Sequence, residues 1–532
     1  MVTRSKIGIT RPKKVFVADI SGIEPIDVAD ALSQREWKQA MLDEYNALTR
    51  NKTWSLVELP QDRNVVGCKW VFKVKENPDG TIARHKARLV AKGYLQTAGF
   101  DYSETFSPVV KPTTIRVVLT IALAKGWVLK QLDVNNAFLN GDLNEEVYMQ
   151  QPPGFERTGS ESLVCRLHKA LYGLKQAPRA WFDKLRSFLT QQGFDYSRAD
   201  QSLYFKFTSS YCIYILVYVD DIIITGSNNT ELQSFISILH SQFSLKDLGS
   251  LSFFLGIEVK NCKGGVLLSQ KKYITDLLKR AKMDDANSLP TPMITSLKLT
   301  SDVGDPVDNP HEYRSVVGAL QYITITRPEI CFSVNKACQF MQNPLDTHWK
   351  AVKRILRYLK GTLDDGILLV KSEMLTLTGF SDADWGNDLV DRRSTTGHCV
   401  YLGDNLVSWN SKKQHSVSRS STESEYRSLA SVAAEIIWIQ TLLSELKIKL
   451  PAIPKVWCDN TSTISLSANP VLHNRTKHME IDLFFLREKV MANQLIVGYV
   501  PSLDQVADIF TKPLSTHFFD RLKERLTVTS AP

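Results

Sequence analysis

The 532-residue chain has only eight cysteines and no CxxC pair. They stand at 68, 165, 212, 262, 331, 338, 399 and 458, mostly inside apolar stretches, which points to a reducing compartment and no zinc module. No apolar run approaches the roughly 20 residues of a membrane-spanning helix, so no membrane contact is expected. The opening MVTRSKIGITRPKK is basic with no apolar segment behind it, and neither a secretory signal nor an anchor is read there. There is no internal repeat, which excludes a solenoid. What remains is a chain long enough for three or four globular domains, 43% hydrophobic, with a net charge of +9 that suits a polyanionic partner.

The densest chemical signal is CIYILVYVDDIIITG, from Cys212 to Gly226. Two apolar runs flank Tyr218-Val219-Asp220-Asp221, a pattern that predicts a buried hairpin with two adjacent carboxylates at its bend. Burying carboxylates costs several kcal/mol each unless something compensates, and a neighbouring pair repels. A divalent cation resolves both problems; the alternative is an Asp-Asp turn with its side chains in water. Asp133 ends another strand-like run, WVLKQLDVNNAFLNGDL. If that strand neighbours the hairpin, three carboxylates converge and can hold two metal ions about 3.5 to 4 Å apart, as phosphoryl transfer requires. Oxygen ligands suit magnesium or manganese.

Residues 1–26 read as a basic tail. A helix follows from about 27, with Trp37, Met41, Tyr45 and Leu48 on one face. A hairpin and then a strand are expected in CKWVFKVKENPDGTIARHKARLVAKGY, around the turn signal Asn77-Pro78-Asp79-Gly80. Its lysines and arginines, among them Lys86, Arg88 and Lys92, make either a solvated edge or a flap that holds phosphates. Helices are expected near Thr113–Lys125 and from Pro178 to Gln192. The Pro- and Ser-rich stretch 287–310 reads as a domain boundary. In HWKAVKRILRYLKGT, Val352, Ile355, Leu356 and Leu359 form an apolar stripe opposite Lys350, Lys353, Arg354, Arg357 and Lys360. That cationic face is either solvated or a backbone-phosphate surface. From about 375 an alternating β/α pattern of about 140 residues makes one compact domain.

This last pattern carries four spaced acids: Asp382 after a strand, Glu425 near a helix start, Asp459 at a strand end, and Asp508. Two capping registers compete, Thr422-x-x-Glu425 and Ser420-x-x-Glu423. In the second, Glu425 shares the face of Leu429, Val432 and Ile436, and an inward glutamate there suits a metal ligand. His478 and Asp482, four apart on a helix, are either a surface pair or lie near the site.

In order along the chain, RHKARLVAKGY, LDVNNAFLNGDL, LYGLKQAPRAWF and YVDD resemble the reverse transcriptase of copia-type LTR retrotransposons, from Trp37 onward. The resemblance implies a multidomain α+β and α/β architecture. A right-hand polymerase occupies 27–286 (fingers and palm) and 287–374 (linker and thumb or connection). An RNase H-like β/α domain spans 375–515, and a tail 516–532. It implies Asp133, Asp220 and Asp221 as polymerase metal ligands, and Asp382, Glu425, Asp459 and Asp508 as those of the nuclease, with two Mg2+ (or Mn2+) ions per site. Phe138 matches the aromatic steric gate. Lys86, Arg88 and Lys92 match finger residues that reach nucleotide phosphates or template, and Gly173, Gln176 and Pro178 the loop beneath template and nucleotide. Phe254, Leu255 and Gly256 match the primer grip, and Lys353 and Arg357 are expected to face the hybrid. The implied partners are an RNA template, a DNA or tRNA primer, dNTPs, the RNA–DNA hybrid and other parts of a Pol polyprotein, in the cytoplasm within virus-like particles. A silent nucleic-acid-binding relic and a nuclease-only fragment are the alternatives.

Overall fold

Apolar β-branched runs, a buried helix and two sheet-forming segments far apart in sequence shape this chain. The computed structural model describes residues 24–76, 82–160, 162–468 and 480–530, which pack as two units. The first comprises the chain up to Ser107 together with Asn136–Phe188, and the second comprises Pro108–Asn135 and the chain from Leu189. Among the described residues no helix is long and apolar enough to cross a membrane.

In the first unit the expected opening helix is two, Val28–Ser33 and Arg35–Arg50, because Gln34 is extended (ψ 124°). Trp37, Met41 and Leu48 are buried as the spacing requires, and Trp37 meets Phe72 edge-on at 5.5 Å between ring centroids. Phe72 lies on an antiparallel hairpin, Cys68–Glu76 with Ile82–Ala91. Its second strand runs unbroken through Leu89 and Val90, where a separate strand was expected; the turn signal at 77–80 lies outside the described residues. A four-stranded sheet, in the order Trp54–Val57, Val164–Lys169, Asp142–Met149, Val65–Val66, and the helix Ala177–Gln191 accompany it.

The second unit holds a six-stranded antiparallel sheet in the order Leu245–Ser250, Leu129–Val134, Asp221–Gly226, Cys212–Tyr218, Leu203–Phe207, Asp195–Tyr196. Helix Pro112–Lys125 starts on a proline, which needs no N–H there, and stops at Gly126 in the left-handed region (φ 69°). Every residue from Thr114 to Ala122 is buried, so the helix is enclosed on all sides. Arg116 on it donates to Val407 O (2.7 Å) and lies 3.9 Å from the Trp409 ring.

Val407 and Trp409 belong to a second five-stranded sheet, ordered Asn405–Lys413, Thr395–Leu402, Leu377–Ala383, Lys455–Cys458, Ile496–Tyr499. The first three strands are antiparallel and the last two run parallel to Leu377–Ala383, with helix Ser421–Glu445 packed across.

A further sheet joins Phe253–Phe254, Ile257–Cys262, Gly265–Ser269, Asp365–Val370 and Val528–Ser530. Two sequence expectations change here. Residues 516–530 contain a helix, Thr516–Arg525, and a strand that closes this sheet, where a tail was expected. No unit boundary falls in the stretch 287–310: much of it is exposed, but Met293 and Leu299 are buried with Phe332, Phe340 and Ala351, and strands from before and after the stretch pair directly. Its prolines suppress regular structure without preventing burial.

Candidate active sites

The hairpin ends on the pair Tyr218–Asp221, leaving Val219 and Asp220 as a two-residue turn. Val219 takes φ +57°, which β-branched residues avoid, and the two apolar strands hold it there. Asp221 is the cross-strand partner of Asp133, which puts both side chains on one face, and Val134 N–H donates to Asp220 O (2.8 Å). All three acids are half-buried. Burial, then the charges of Asp220 and Asp133, push the Asp221 carboxyl up to about 6. Three half-buried carboxylates at one end of the hairpin, one of them raised by burial and by its two neighbours, are an oxygen donor set suited to a hard divalent cation.

The second sheet assembles its own acids. Asp382 lies on the central strand, and Asp459 stands one residue past the end of its parallel neighbour. Helix Ser421–Glu445 uses the Ser420 register: Ser420 Oγ accepts from Glu423 N–H (3.2 Å), and Glu423 turns back to accept from Arg419 N–H (2.8 Å). Glu425 therefore faces inward, buried, with an Oε2 that has no hydrogen-bond partner. Burial, and then Asp382 and Asp459, raise its carboxyl far above the ordinary range. Ligand oxygens of Asp382, Asp459 and Asp508 lie within 4.8 Å of one another, and Glu425, Cys458 and Asp459 form a second such group. The Cys458 thiol is pushed up by burial and stays protonated, leaving an oxygen-only set that fits a hard cation.

In the first unit, Lys86, Arg88 and Lys92 are half-buried on or just past the second hairpin strand, and the Arg88 guanidinium lies 4.8 Å from the Tyr172 ring. Phe138, on the short turn Ala137–Asn140, meets that ring edge-on at 4.9 Å. Gly173 has φ +90°, and a Cβ there would come 2.1 Å from Ala91 O, so only glycine fits. Gln176 is buried with both ends of its amide engaged, accepting from Gln96 Nε2 (3.0 Å) and donating to Asp101 O (2.9 Å). It braces this loop rather than presenting a side chain to a ligand. Pro178 sits in the first turn of the following helix, its carbonyl accepting from Ser107 Oγ (3.3 Å).

In the second unit, Phe254 is a core side chain, and the turn at Leu255 and Gly256, both half-buried at positive φ, lies against Tyr322, whose hydroxyl donates to Leu255 O.

Residues 51–295 match a family described as reverse transcriptase (RNA-dependent DNA polymerase). Over 536 residues and 100% of this chain, the sequence is 48% identical to the retrovirus-related Pol polyprotein from transposon RE2 of Arabidopsis thaliana, of which it covers 37%. A putative transposon Ty5-1 protein of Saccharomyces cerevisiae is 33% identical over 310 residues, 57% of this chain and 100% of that protein. The chain belongs to the retrovirus-related Pol polyproteins of retrotransposons. It spans well under half the length of its RE2 relative. Among solved structures, native prototype foamy virus protease–reverse transcriptase is similar at 11% identity and a TM-score of 0.27, covering 93% of this chain and 78% of that one.

Within this Pol segment several site residues escape sequence reasoning. Lys512 lies 2.9 Å from Asp508 Oδ1 and 3.6 Å from Asp382 Oδ2; burial opposes its charge, but the two acids outweigh burial and raise its pKa. The Thr511 hydroxyl donates to Asp382, and Ser502 Oγ to Asp459 Oδ2 (2.8 Å). The four-residue step from Asp508 to Lys512 was the one available signal. Asp482 lines a cavity of about 630 Å³ with Lys412, Lys413, His415 and Arg427, while His478 lies outside the described residues.

The helix Asp346–Gly361 buries its apolar stripe, and on its cationic face Lys350 is exposed while Arg354, Arg357 and Lys360 are half-buried. Arg354 donates to Thr291 Oγ1 (2.8 Å), Arg357 to Asn287 O (2.6 Å) and Lys360 to Asp284 O, while Lys353 stays exposed. The proline-rich stretch and the residues just before it supply these acceptors, a hydroxyl at Thr291 and carbonyls at Asn287 and Asp284. Arg357 is half-buried, with its Nε engaged at the main chain.

Proposed function

We propose that this chain is the polymerase and nuclease portion of a copia-type Pol polyprotein. It copies an RNA template into DNA from a DNA or tRNA primer with dNTPs, and cuts the RNA of the resulting hybrid. The observation that carries the reading is the cross-strand pairing of Asp221 with Asp133 beside Asp220, inside the stretch that matches the reverse transcriptase family. The parts are fingers, palm, thumb and an RNase H-like domain, working in the cytoplasm within virus-like particles.

In the polymerase, Asp133, Asp220 and Asp221 would hold two divalent cations, magnesium first and manganese second. When bound, such cations supply Lewis acidity and offset the negative charge that builds on the phosphoryl oxygens during transfer. The strained turn fixes where the Asp220 carboxylate points. Lys86, Arg88 and Lys92 bind nucleotide phosphates or template backbone, and the Gly173 loop lets a base approach the main chain. Phe138, held against Tyr172, excludes a ribose 2′-hydroxyl by its bulk. The backbone turn at Leu255 and Gly256 contacts the primer.

In the nuclease, Asp382, Glu425, Asp459 and Asp508 form the corresponding set. Lys512 offsets part of the charge of Asp382 and Asp508, which helps keep four crowded acids compatible with folding. Exposed Lys353 meets hybrid phosphate. Asp220→Asn is expected to abolish primer extension and leave hybrid cutting, and Asp459→Asn the reverse. Loss of both activities in either variant, or of neither, contradicts the reading.

A further inference from the structure

The turn that follows the basic hairpin is built inside out. Gln96 and Asp101 are buried, while Tyr94 is 75% and Phe100 70% exposed, with Leu95 half out beside them. The buried polar groups are fully used. Gln96 donates to Gln176 Oε1 (3.0 Å) and accepts from Lys175 N–H (2.9 Å), and Asp101 accepts from Thr97 N–H (2.7 Å). These bonds close residues 97–101 into a tight loop with Phe100 at its tip. Gly93, at the root, is pressed so closely on Gly173 O that a Cβ would lie 2.0 Å away. The turn is therefore rigid, and it spends its hydrogen bonds on presenting two aromatic rings to water.

The bonds to Gln176 and Lys175 account for the buried Gln96, but nothing in the fold calls for two large aromatic rings in water at Tyr94 and Phe100, where a polar side chain would leave less apolar surface exposed. Rigid exposed aromatics beside cationic side chains are the composition of a base-stacking surface. Here Lys86, Arg88 and Lys92 precede Tyr94 directly in sequence, and Lys92 N–H is tied to Gly67 O (2.7 Å).

We infer that Tyr94 and Phe100 stack on unpaired bases of the template strand, with the hairpin cations on its phosphates. The inference rests on the polymerase reading and adds a specific partner, single-stranded nucleic acid, and a sequence-tolerant mode of binding to it. Stacking needs only a π-face, so the surface would hold any template equally, as a copying enzyme requires.

The test compares the full chain with Tyr94→Ser/Phe100→Ser and with the aromatic-preserving Tyr94→Phe/Phe100→Tyr. Affinity is read by fluorescence anisotropy for one RNA–DNA primer–template, blunt or carrying a 5′ template overhang of rA, rU or rC. In the parent the overhang strengthens binding, similarly for all three bases. The serine variant loses that gain by roughly ten- to a hundredfold while blunt-duplex affinity stays put, and the aromatic variant keeps it. An unchanged overhang gain in a folded serine variant overturns the inference. So does a parent that extends primers yet gains nothing from an overhang, which leaves the polymerase reading intact. A serine variant that changes only the oligomeric state shows a protein contact and overturns it too. A parent that neither binds nor extends any primer–template removes the polymerase reading and the inference with it.

Discussion

Arg327 and Glu329 are fully buried and paired at 2.7 Å. Arg327 also donates to Thr362 O (2.8 Å) and Thr362 Oγ1 (2.7 Å), and Tyr358 OH donates to Glu329 Oε1 (3.2 Å). Asp365 lies 3.9 Å from Arg327 and is itself paired with Lys523 at 2.5 Å. One charge cluster thus ties helix Asp346–Gly361, strand Asp365–Val370 and helix Thr516–Arg525. Removing one member of a buried pair costs about 3–5 kcal/mol because the other charge is stranded. Arg327→Met leaves Glu329 with only the Tyr358 hydroxyl and belongs at about 5 kcal/mol. Glu329→Gln leaves Arg327 within reach of Asp365 and belongs at about 3 kcal/mol. The double change Arg327→Met/Glu329→Leu removes both charges and is less damaging than Arg327→Met alone. With a urea slope of about 3 kcal/mol/M, the single changes lower the unfolding midpoint by roughly 1–1.7 M. Pulse proteolysis across a urea series reads this. An Arg327→Met midpoint at the parent's value, or a double variant as unstable as the sum of the singles, refutes the reasoning.

Three other expectations follow from the geometry. The Asp221 carboxyl, raised to about 6 mainly by burial, binds its proton more tightly folded than unfolded. That contribution to stability is present below the unfolded value near 4 and is lost as pH rises through about 6. Asp221→Asn therefore stabilises the metal-free protein at pH 7, by about 1–2 kcal/mol after discounting for solvent, and loses primer extension; a stability difference independent of pH between 4 and 7 contradicts this. Gly173→Ala adds a Cβ at φ +90° against Ala91 O and should cost about 2–4 kcal/mol, read as a lowered melting temperature; a neutral result would mean that the loop can move aside. Phe138→Ala should let ribonucleotides be incorporated beside deoxyribonucleotides in primer extension, and unchanged sugar selectivity removes Phe138 from the gate.

What could be read from residues alone followed from local rules. Asp220 and Asp221 stand out because apolar runs on both sides leave them nowhere to go but a bend. Glu425 was separable from Glu423 because a capping register fixes which side chain turns back. Helix Pro112–Lys125 is marked by its proline and glycine. The illegible features are those settled by partners distant in sequence. Nothing local tells that Val528–Ser530 pairs with Asp365–Val370, or that carbonyls at Asp284 and Asn287 accept from Lys360 and Arg357 of the helix at 346–361. Gln176 looks like a ligand-facing amide until Gln96 and Asp101 are placed against it. Lys512 becomes a site residue only when Val506–Phe510 packs against the strand carrying Asp382.

The most direct measurement is primer extension on poly(rA)/oligo(dT) with dTTP and magnesium, comparing the chain as it stands with Asp220→Asn and Asp459→Asn. Extension by the parent and by Asp459→Asn, with loss by several orders of magnitude in Asp220→Asn, is the expected result. No extension by a folded parent with either magnesium or manganese, or equal extension by Asp220→Asn, would contradict a polymerase centred on Asp133, Asp220 and Asp221.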